Sequence, residues 1–126
     1  MEKKDLAYSG KEQRKYGRVD CRFLTSFLMS GAGDKVEITQ SKNMSLGGIL
    51  LTTSKPIKKA AIVNLEIRLP GASSPVLVSG KVIESTRNVN SLFYNTRFEF
   101  SSPSENDKEI IFKALDNRLK RLKSNS

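Results

Sequence analysis

Apolar residues recur at every second position in several short segments of this chain, and that alternation limits its fold more than any other feature. Between Val19 and Met29 the odd-numbered positions form a mostly apolar series, which is typical of a β-strand with one buried face. Similar segments follow, separated by turn-forming residues: "KVEIT", "GGILLTT", "AIVNLEIRL", "VLVSGKVIES" and "LFYNTRFEF". In the last segment we expect Leu92 to share the buried side with Phe98 and Phe100. About six short strands of this kind predict an all-β fold, an antiparallel barrel or sandwich.

The final segment, "SENDKEIIFKALDNRLKRLKS", has a helical period instead. Ser104, followed three residues later by Asp107, resembles a capping box. The basic residues at its end suit the helix dipole, and we prefer that explanation to a nucleic-acid patch. We predict one C-terminal amphipathic α-helix at about residues 104–123. Its apolar residues recur every 3.6 positions or so, on one face: Ile110, Ile111, Ala114, Leu115, Leu119 and Leu122.

The chain is strongly basic, with 22 Lys and Arg against 13 Asp and Glu in 126 residues and a net charge of +9. This excess favours an anionic partner. It is spread along the whole sequence, however, so solvated lysines on an ordinary surface explain it equally well. A single cysteine, Cys21, excludes an intrachain disulfide and fits a reducing compartment. No apolar run approaches the length of a membrane span or of a secretion signal, so we expect a cytoplasmic protein without membrane insertion.

The residue types needed for catalysis and metal binding are scarce. There is no histidine, the usual acid and base near neutral pH, and Cys21 has no evident partner base. Neither a CxxC pair nor a clustered carboxylate loop occurs, which argues against a metal site. We predict a protein that is not an enzyme and that needs no cofactor, with Cys21 as a core residue.

Two polar stretches carry the chemistry of a candidate binding site. "RKYGR" places Arg14, Lys15 and Arg18 on a non-periodic stretch, and guanidinium groups bind guanine edges and phosphates. In "NMSLGG", Asn43 and Ser45 are two positions apart, so on an extended segment they point the same way and together could bond a base edge.

The two glycines of the second stretch, Gly47 and Gly48, remove side chains where a planar ring would approach the backbone. Each stretch also has an ordinary explanation. Arginines near an N-terminus are commonly solvated charge, and an Asn or Ser in a turn commonly bonds nearby backbone. The two stretches together, in this order and ahead of strands, are more specific than either alone.

In this combination the chain resembles the PilZ domain family. The resemblance rests on the "RxxxR" arm, the "NxSxxG" turn before "ILLTT", a "G-K-V" strand from Gly80 to Val82, the late "RFEF" and the terminal helix. It implies a six-stranded antiparallel β-barrel with a C-terminal helix over residues 12–122. Residues 1–11 show no regular period, and we expect them to form a flexible arm. The sequence has Asn95 and Thr96 where many members have a glycine.

Members of this family are bacterial receptors for the second messenger cyclic di-GMP. Carried over residue by residue, the resemblance implies that Arg14 and Arg18 contact guanine and phosphate groups, that Asn43 and Ser45 bond a guanine edge, and that Gly48 leaves room for the ring. Lys15, with Arg87 or Arg97, could add phosphate or stacking contacts. We expect the arm to close over the ligand.

The expected function is thus to bind cyclic di-GMP and to relay binding as a conformational change to a downstream effector protein. Two alternatives stay open: an adaptor with this fold that binds no ligand, and a basic barrel that binds single-stranded nucleic acid, which the lack of tryptophan disfavours. The sequence leaves open the downstream process, the number of ligands bound, and whether the protein is a monomer or a homodimer.

Overall fold

A computed structural model describes residues 17–29 and 35–124 of the chain. Within these residues, seven β-strands precede one helix in chain order. The strands are β1 (Val19–Asp20), β2 (Leu24–Met29), β3 (Lys35–Met44), β4 (Gly48–Thr53), β5 (Ile62–Ile67), β6 (Val76–Arg87) and β7 (Tyr94–Ser101), and the helix is α1 (Glu105–Ser124).

The strands form a closed antiparallel barrel. The order of the strands around the barrel is β2, β5, β6, β7, β4 and β3, and each strand pairs with the one that follows it in this order. The last strand, β3, also pairs with β2, which closes the ring. The short β1 lies in line with β2 and pairs with the end of β3, Val19 opposite Met44 and Asp20 opposite Asn43. The structure therefore confirms the predicted six-stranded barrel with a C-terminal helix.

The break between β1 and β2 is held by the side chain of Ser41. Its Oγ accepts a hydrogen bond from the Phe23 backbone N–H at 2.9 Å and donates to the Cys21 carbonyl at 2.8 Å. These bonds satisfy backbone groups that the interrupted ladder leaves unpaired. As a result the chain bends here while the alternation of buried residues continues through Val19, Cys21 and Phe23.

The barrel interior is filled by the side chains that the alternation predicted. Leu65 and Ile67 of β5 are buried, as are Phe98 and Phe100 of β7. Gly80 lies among them, and a Cβ there would approach Leu65 Cδ1 to 2.9 Å. Glycine at this position gives the larger side chains the space they occupy.

Helix α1 covers the barrel with one face. Ile111, Ala114 and Leu115 are buried in the same core as the strands, and the Arg118 Nε donates to the carbonyl of Asp20 at 3.0 Å. The Ser104 Oγ accepts a hydrogen bond from the Asp107 backbone N–H at 3.0 Å and so caps the helix. The predicted apolar face thus packs within the chain, apart from Leu122, which is 39% exposed.

Two strand predictions needed correction. The last strand begins at Tyr94, and the prediction that Leu92 is buried with it is wrong, because Leu92 lies in the preceding turn with 78% of its surface exposed. The strand predicted at "KVEIT" runs on to Met44, because both β1 and β4 pair with its final residues. Within the described residues, no helix is both long and apolar enough to cross a bilayer.

Candidate functional site

A cleft of about 320 Å³ lies where the β3–β4 turn meets β7 and the start of β1. Arg18, Ser45, Gly47 and Gly48 line one part of it. The strand pairing explains the convergence: the register places Val19 opposite Met44 in β3 and Gly48 opposite Glu99 in β7. The structure thus brings together four of the residues that the sequence proposed for a binding site.

Arg18 is oriented by a fifth predicted residue, Asn43. The exposed guanidinium donates through one terminal nitrogen to the Asn43 Oδ1 at 3.2 Å. Asn43 is in β3 and pairs with Asp20 on one side and Leu50 on the other, so its backbone is fixed from both sides. It does not line the cleft. In the structure, the Asn43 side chain holds Arg18 at the edge of the cleft.

Ser45 follows β3 and shapes the turn that enters β4. Its backbone N–H donates to the Gly48 carbonyl at 2.9 Å, and its Oγ accepts from the Gly47 N–H at 3.2 Å. This is the local side-chain bonding that serine commonly makes in turns. Since that bond uses the hydroxyl oxygen as an acceptor, the hydroxyl proton remains to donate.

The two glycines differ in their surroundings. At Gly47 an added Cβ would meet nothing within 4 Å, so the exposed backbone of this residue borders open space. At Gly48 an added Cβ would overlap the carbonyl oxygen of Phe98 in the neighbouring strand. Gly48 is thus required for the close approach of β4 to β7, whereas Gly47 leaves the cleft accessible.

The far wall of the cleft contains residues from outside the two polar stretches. Ile83 of β6 and Arg97 and Glu99 of β7 line it. Arg97 and Glu99 are two apart on β7, so both point outward, and the register places Glu99 opposite Gly48 and Arg97 opposite Leu50 of β4. Arg97 was named among possible contacts but not distinguished from Arg87, which lies outside the cleft. The alternation in "RFEF" shows that both side chains face outward, but only strand pairing shows where.

Arg14 and Lys15 lie outside the described residues, so their predicted contacts stay predictions. Gly17, the last residue before Arg18, has a φ of 55°. This left-handed backbone conformation is open to glycine without strain. It sets the direction in which the chain enters Arg18.

A larger cleft, of about 690 Å³, lies elsewhere, between α1 and the start of β2. Arg22, Arg118 and Arg121 line it, and it includes none of the predicted site residues. Cys21, next to it, is buried. Burial raises the pKa of the Cys21 thiol, and the hydrogen bond to Ser41 and the charges of Arg118 and Arg22 offset part of that rise. The described residues contain no cluster of His, Cys, Asp or Glu side chains that could hold a metal ion.

The family model described as "PilZ domain" matches residues 12–117. The chain belongs to the PilZ domain family. In this PilZ domain, four residues of the two polar stretches, Arg18, Ser45, Gly47 and Gly48, line the cleft at the β3–β4 turn. No curated protein sequence matches the chain significantly.

Solved structures have the same fold. The inhibitor of motility MotI/DgrA of Bacillus subtilis is 19% identical with a TM-score of 0.68, over 85% of this chain and 50% of that chain. MrkH of K. pneumonia in complex with c-di-GMP is 17% identical with a TM-score of 0.67, over 86% of this chain and 53% of that chain. The PilZ domain of YcgR from Escherichia coli with c-di-GMP is 15% identical with a TM-score of 0.63, over 86% of this chain and 95% of that chain. This chain spans about half the length of the first two.

Proposed function

We propose that this PilZ domain is a bacterial, cytoplasmic receptor for cyclic di-GMP and has no catalytic activity of its own. The observation that carries the proposal is the arginine at the cleft edge: Arg18, held by Asn43, faces a cleft bordered by the bare backbone of Gly47. Family membership supports the ligand class, as do the two similar structures, MrkH and YcgR, whose complexes contain c-di-GMP.

The chemistry of the cleft suits a ligand with two guanines and two phosphodiester groups. Arg18 and Arg97 supply guanidinium groups for phosphate oxygens or for the N7 and O6 edge of guanine. The Ser45 hydroxyl can donate to a guanine acceptor, and the Glu99 carboxylate can accept from the guanine N1 and N2 donors. Arg14 and Lys15 would complete the site from the N-terminal arm.

Arg18 connects ligand binding to the rest of the fold. It directly precedes β1, whose Asp20 carbonyl accepts the hydrogen bond from Arg118 of α1. A ligand that takes Arg18 away from Asn43 would pull on β1 and thereby on this contact with the helix. We propose that binding is relayed in this way to a downstream effector protein.

The proposal is tested by isothermal calorimetry with cyclic di-GMP. We expect Arg18→Ala and Arg14→Ala each to weaken binding by about 1.5–3 kcal/mol, because each removes hydrogen bonds to charged ligand groups. Asn43→Ala and Ser45→Ala should each cost less, about 1 kcal/mol. Arg87→Ala is the matched control, since it removes an exposed arginine outside the cleft and should leave the affinity unchanged.

Unchanged affinity in Arg18→Ala would contradict the site. A wild-type protein that shows no heat of binding would favour the adaptor that binds no ligand. Titration of single-stranded oligonucleotides at two salt concentrations addresses the remaining alternative, because nucleic-acid binding weakens steeply with salt.

A further inference from the structure

A groove runs along α1, separate from the 320 Å³ cleft at Arg18, which we call the nucleotide cleft after its proposed ligand. The 690 Å³ cleft adjoins a second cleft of about 360 Å³, and the two share Pro70, Gly71, Ala114 and Asn117. Together they form what we call the helix groove, with α1 as one wall and the turn at Pro70–Ser74 as the other. Along α1 it extends from Ile110 to Arg121, which at 1.5 Å per residue is about 16 Å.

Four of the five basic residues that line the helix groove lie at one end. Arg22, Arg118, Lys120 and Arg121 lie there. Arg22 donates to the carbonyl of Lys42 at 2.6 Å and Arg118 to the carbonyl of Asp20 at 3.0 Å. These bonds orient both guanidinium groups but leave their charge in place, because a carbonyl is neutral. Across residues 17–29 and 35–124, no ion pair joins Arg22, Arg118 or Arg121 to a carboxylate.

The other end of the helix groove combines apolar side chains with one basic residue, Lys113, which is paired with Glu109 at 3.5 Å. Ile110 of α1 and Ala72 of the opposite turn line it, and Ala114 lies in the middle. A ligand that fills the groove must therefore combine negative charge at one end with apolar groups further along. An extended peptide of about five residues, at 3.3 Å per residue, has the required length, and carboxylates pair with arginine through two parallel hydrogen bonds.

Nucleic acid fits the helix groove less well. Binding of single strands relies on exposed aromatic rings on which the bases stack. The aromatic side chain in the groove, Phe23, is only 6% exposed, so it offers no stacking surface. The arginines are also confined to one end of the groove, and the basic residue at the other end, Lys113, is paired with Glu109.

We propose that the helix groove is a docking site for an extended acidic segment of a protein partner, with carboxylates at Arg118 and Arg121 and apolar side chains near Ala114 and Ile110. Arg18 of the nucleotide cleft and Arg22 of the groove are the two ends of one stretch that contains β1. Cyclic di-GMP is therefore expected to change the affinity of the groove. That coupling rests on the proposed function, whereas docking does not.

The test measures fluorescence anisotropy with the full chain and a labelled peptide of glutamate and leucine residues. A peptide of glutamine and leucine and a single-stranded oligonucleotide of equal charge serve as comparison probes. We expect the glutamate peptide to bind at least about tenfold more tightly than either comparison. Equal binding of the glutamine peptide, or tighter binding of the oligonucleotide, would overturn the proposal.

Two sets of variants locate the binding. Asn117 is exposed on α1 within the groove, so Asn117→Glu places a carboxylate there. This variant should bind the glutamate peptide at least about tenfold more weakly than wild type. Asn117→Gln, which adds no charge, should bind it with wild-type affinity. The double variant Arg118→Gln with Arg121→Gln should also bind the glutamate peptide at least about tenfold more weakly than wild type. Lys58→Gln with Lys59→Gln removes two charges from an exposed loop outside the groove and serves as its control. Equal affinity in Asn117→Glu and Asn117→Gln would overturn the proposal.

Calorimetry with cyclic di-GMP on the same proteins separates the two proposals. Asn117→Glu should leave nucleotide affinity unchanged, because Asn117 lies outside the nucleotide cleft. If the wild-type protein binds the glutamate peptide but no nucleotide, the proposed function fails and the docking site stands. If the wild-type protein binds nucleotide but shows equal affinity for the glutamate and glutamine peptides, the docking site fails.

Discussion

At the scale of single residues, the adjacent glycines of "NMSLGG" show how the same residue type serves two purposes. Gly47 faces open space, and its carbonyl accepts a hydrogen bond from the Phe100 N–H at 2.8 Å. Gly48 lies against the carbonyl oxygen of Phe98. A side chain at the first position would enter the cleft, and one at the second would push β4 away from β7.

These two positions give a matched pair of variants. We expect Gly47→Ala to fold with a free energy of unfolding within about 0.5 kcal/mol of wild type but to bind cyclic di-GMP more weakly, because its methyl group narrows the cleft. Gly48→Ala should lower the free energy of unfolding by about 1–3 kcal/mol through overpacking. Denaturant unfolding and calorimetry measure the two effects. Comparable losses of stability in both variants would contradict the distinction.

Cys21 gives a second prediction at this scale. Because burial raises its pKa, the folded protein should react slowly with a thiol reagent at pH 8 and quickly once unfolded. The folded state holds the thiol proton more tightly than the unfolded state. The resulting contribution to stability is therefore present below the ordinary thiol pKa and is lost as the pH rises through the raised value. Rapid labelling of the native protein would show that Cys21 is accessible.

At the scale of secondary-structure elements, a buried chain of hydroxyl groups joins three strands. Thr53 donates to the carbonyl of Lys55 at 2.8 Å, so its contact with Thr96 at 2.8 Å is one in which Thr96 donates. By the same reasoning Ser85 donates to Thr96 at 2.8 Å, and the Ser85 Oγ accepts from the Ile57 N–H at 3.2 Å. These hydroxyl groups thus link β6, β7 and β4.

Replacing Thr96, the central member of these hydroxyl groups, measures how much their hydrogen bonds contribute to the free energy of unfolding. Thr96→Val keeps the shape of the side chain but leaves Thr53 without a donor and Ser85 without an acceptor. We expect the free energy of unfolding to fall by about 1–3 kcal/mol, measured in denaturant. Thr86→Val, an exposed position on β6, is the control and should change it by less than about 0.5 kcal/mol. Equal stability in the two variants would show that the hydroxyl chain contributes nothing.

At the scale of the whole molecule, closure of the barrel places the nucleotide cleft and the helix groove on either side of β1. Arg18 borders the first, Arg22 borders the second, and Asp20 between them bonds to α1. A change in the path of residues 18–22 would therefore reach both sites, which is what a receptor that reports ligand binding to a partner requires.

This arrangement predicts where hydrogen exchange should change. We expect cyclic di-GMP to slow amide exchange in residues 10–20, because the proposed contacts of Arg14 and Arg18 order the backbone over the ligand. Strand β5, which lines neither cleft, should exchange at the same rate with and without ligand. Equal rates in residues 10–20 at saturating ligand would contradict closure of the arm.

Much of the fold was predictable because alternation and helical periodicity are local properties. The buried faces of β2 and β5 and the capped helix α1 follow from the order of residues alone. Leu92 was placed wrongly because period two cannot show where a strand begins, and "NVNSLF" lacks the glycine or proline that commonly marks a turn. The motif residues Arg18, Asn43 and Ser45 were named from their chemistry and their resemblance to a family pattern.

The sequence by itself thus determined the strand and helix content, the core side chains and the motif residues of the candidate site, since each depends on residue type and spacing along the chain. Only the tertiary structure decided that Arg97 and Glu99 line the same cleft as Gly48. It also decided that Gly48 is needed for strand contact and that α1 and the Pro70 turn enclose a groove. These features depend on the register between distant strands and on how the helix lies across the barrel. Such contacts join residues far apart in sequence, and local periodicity carries no information about them.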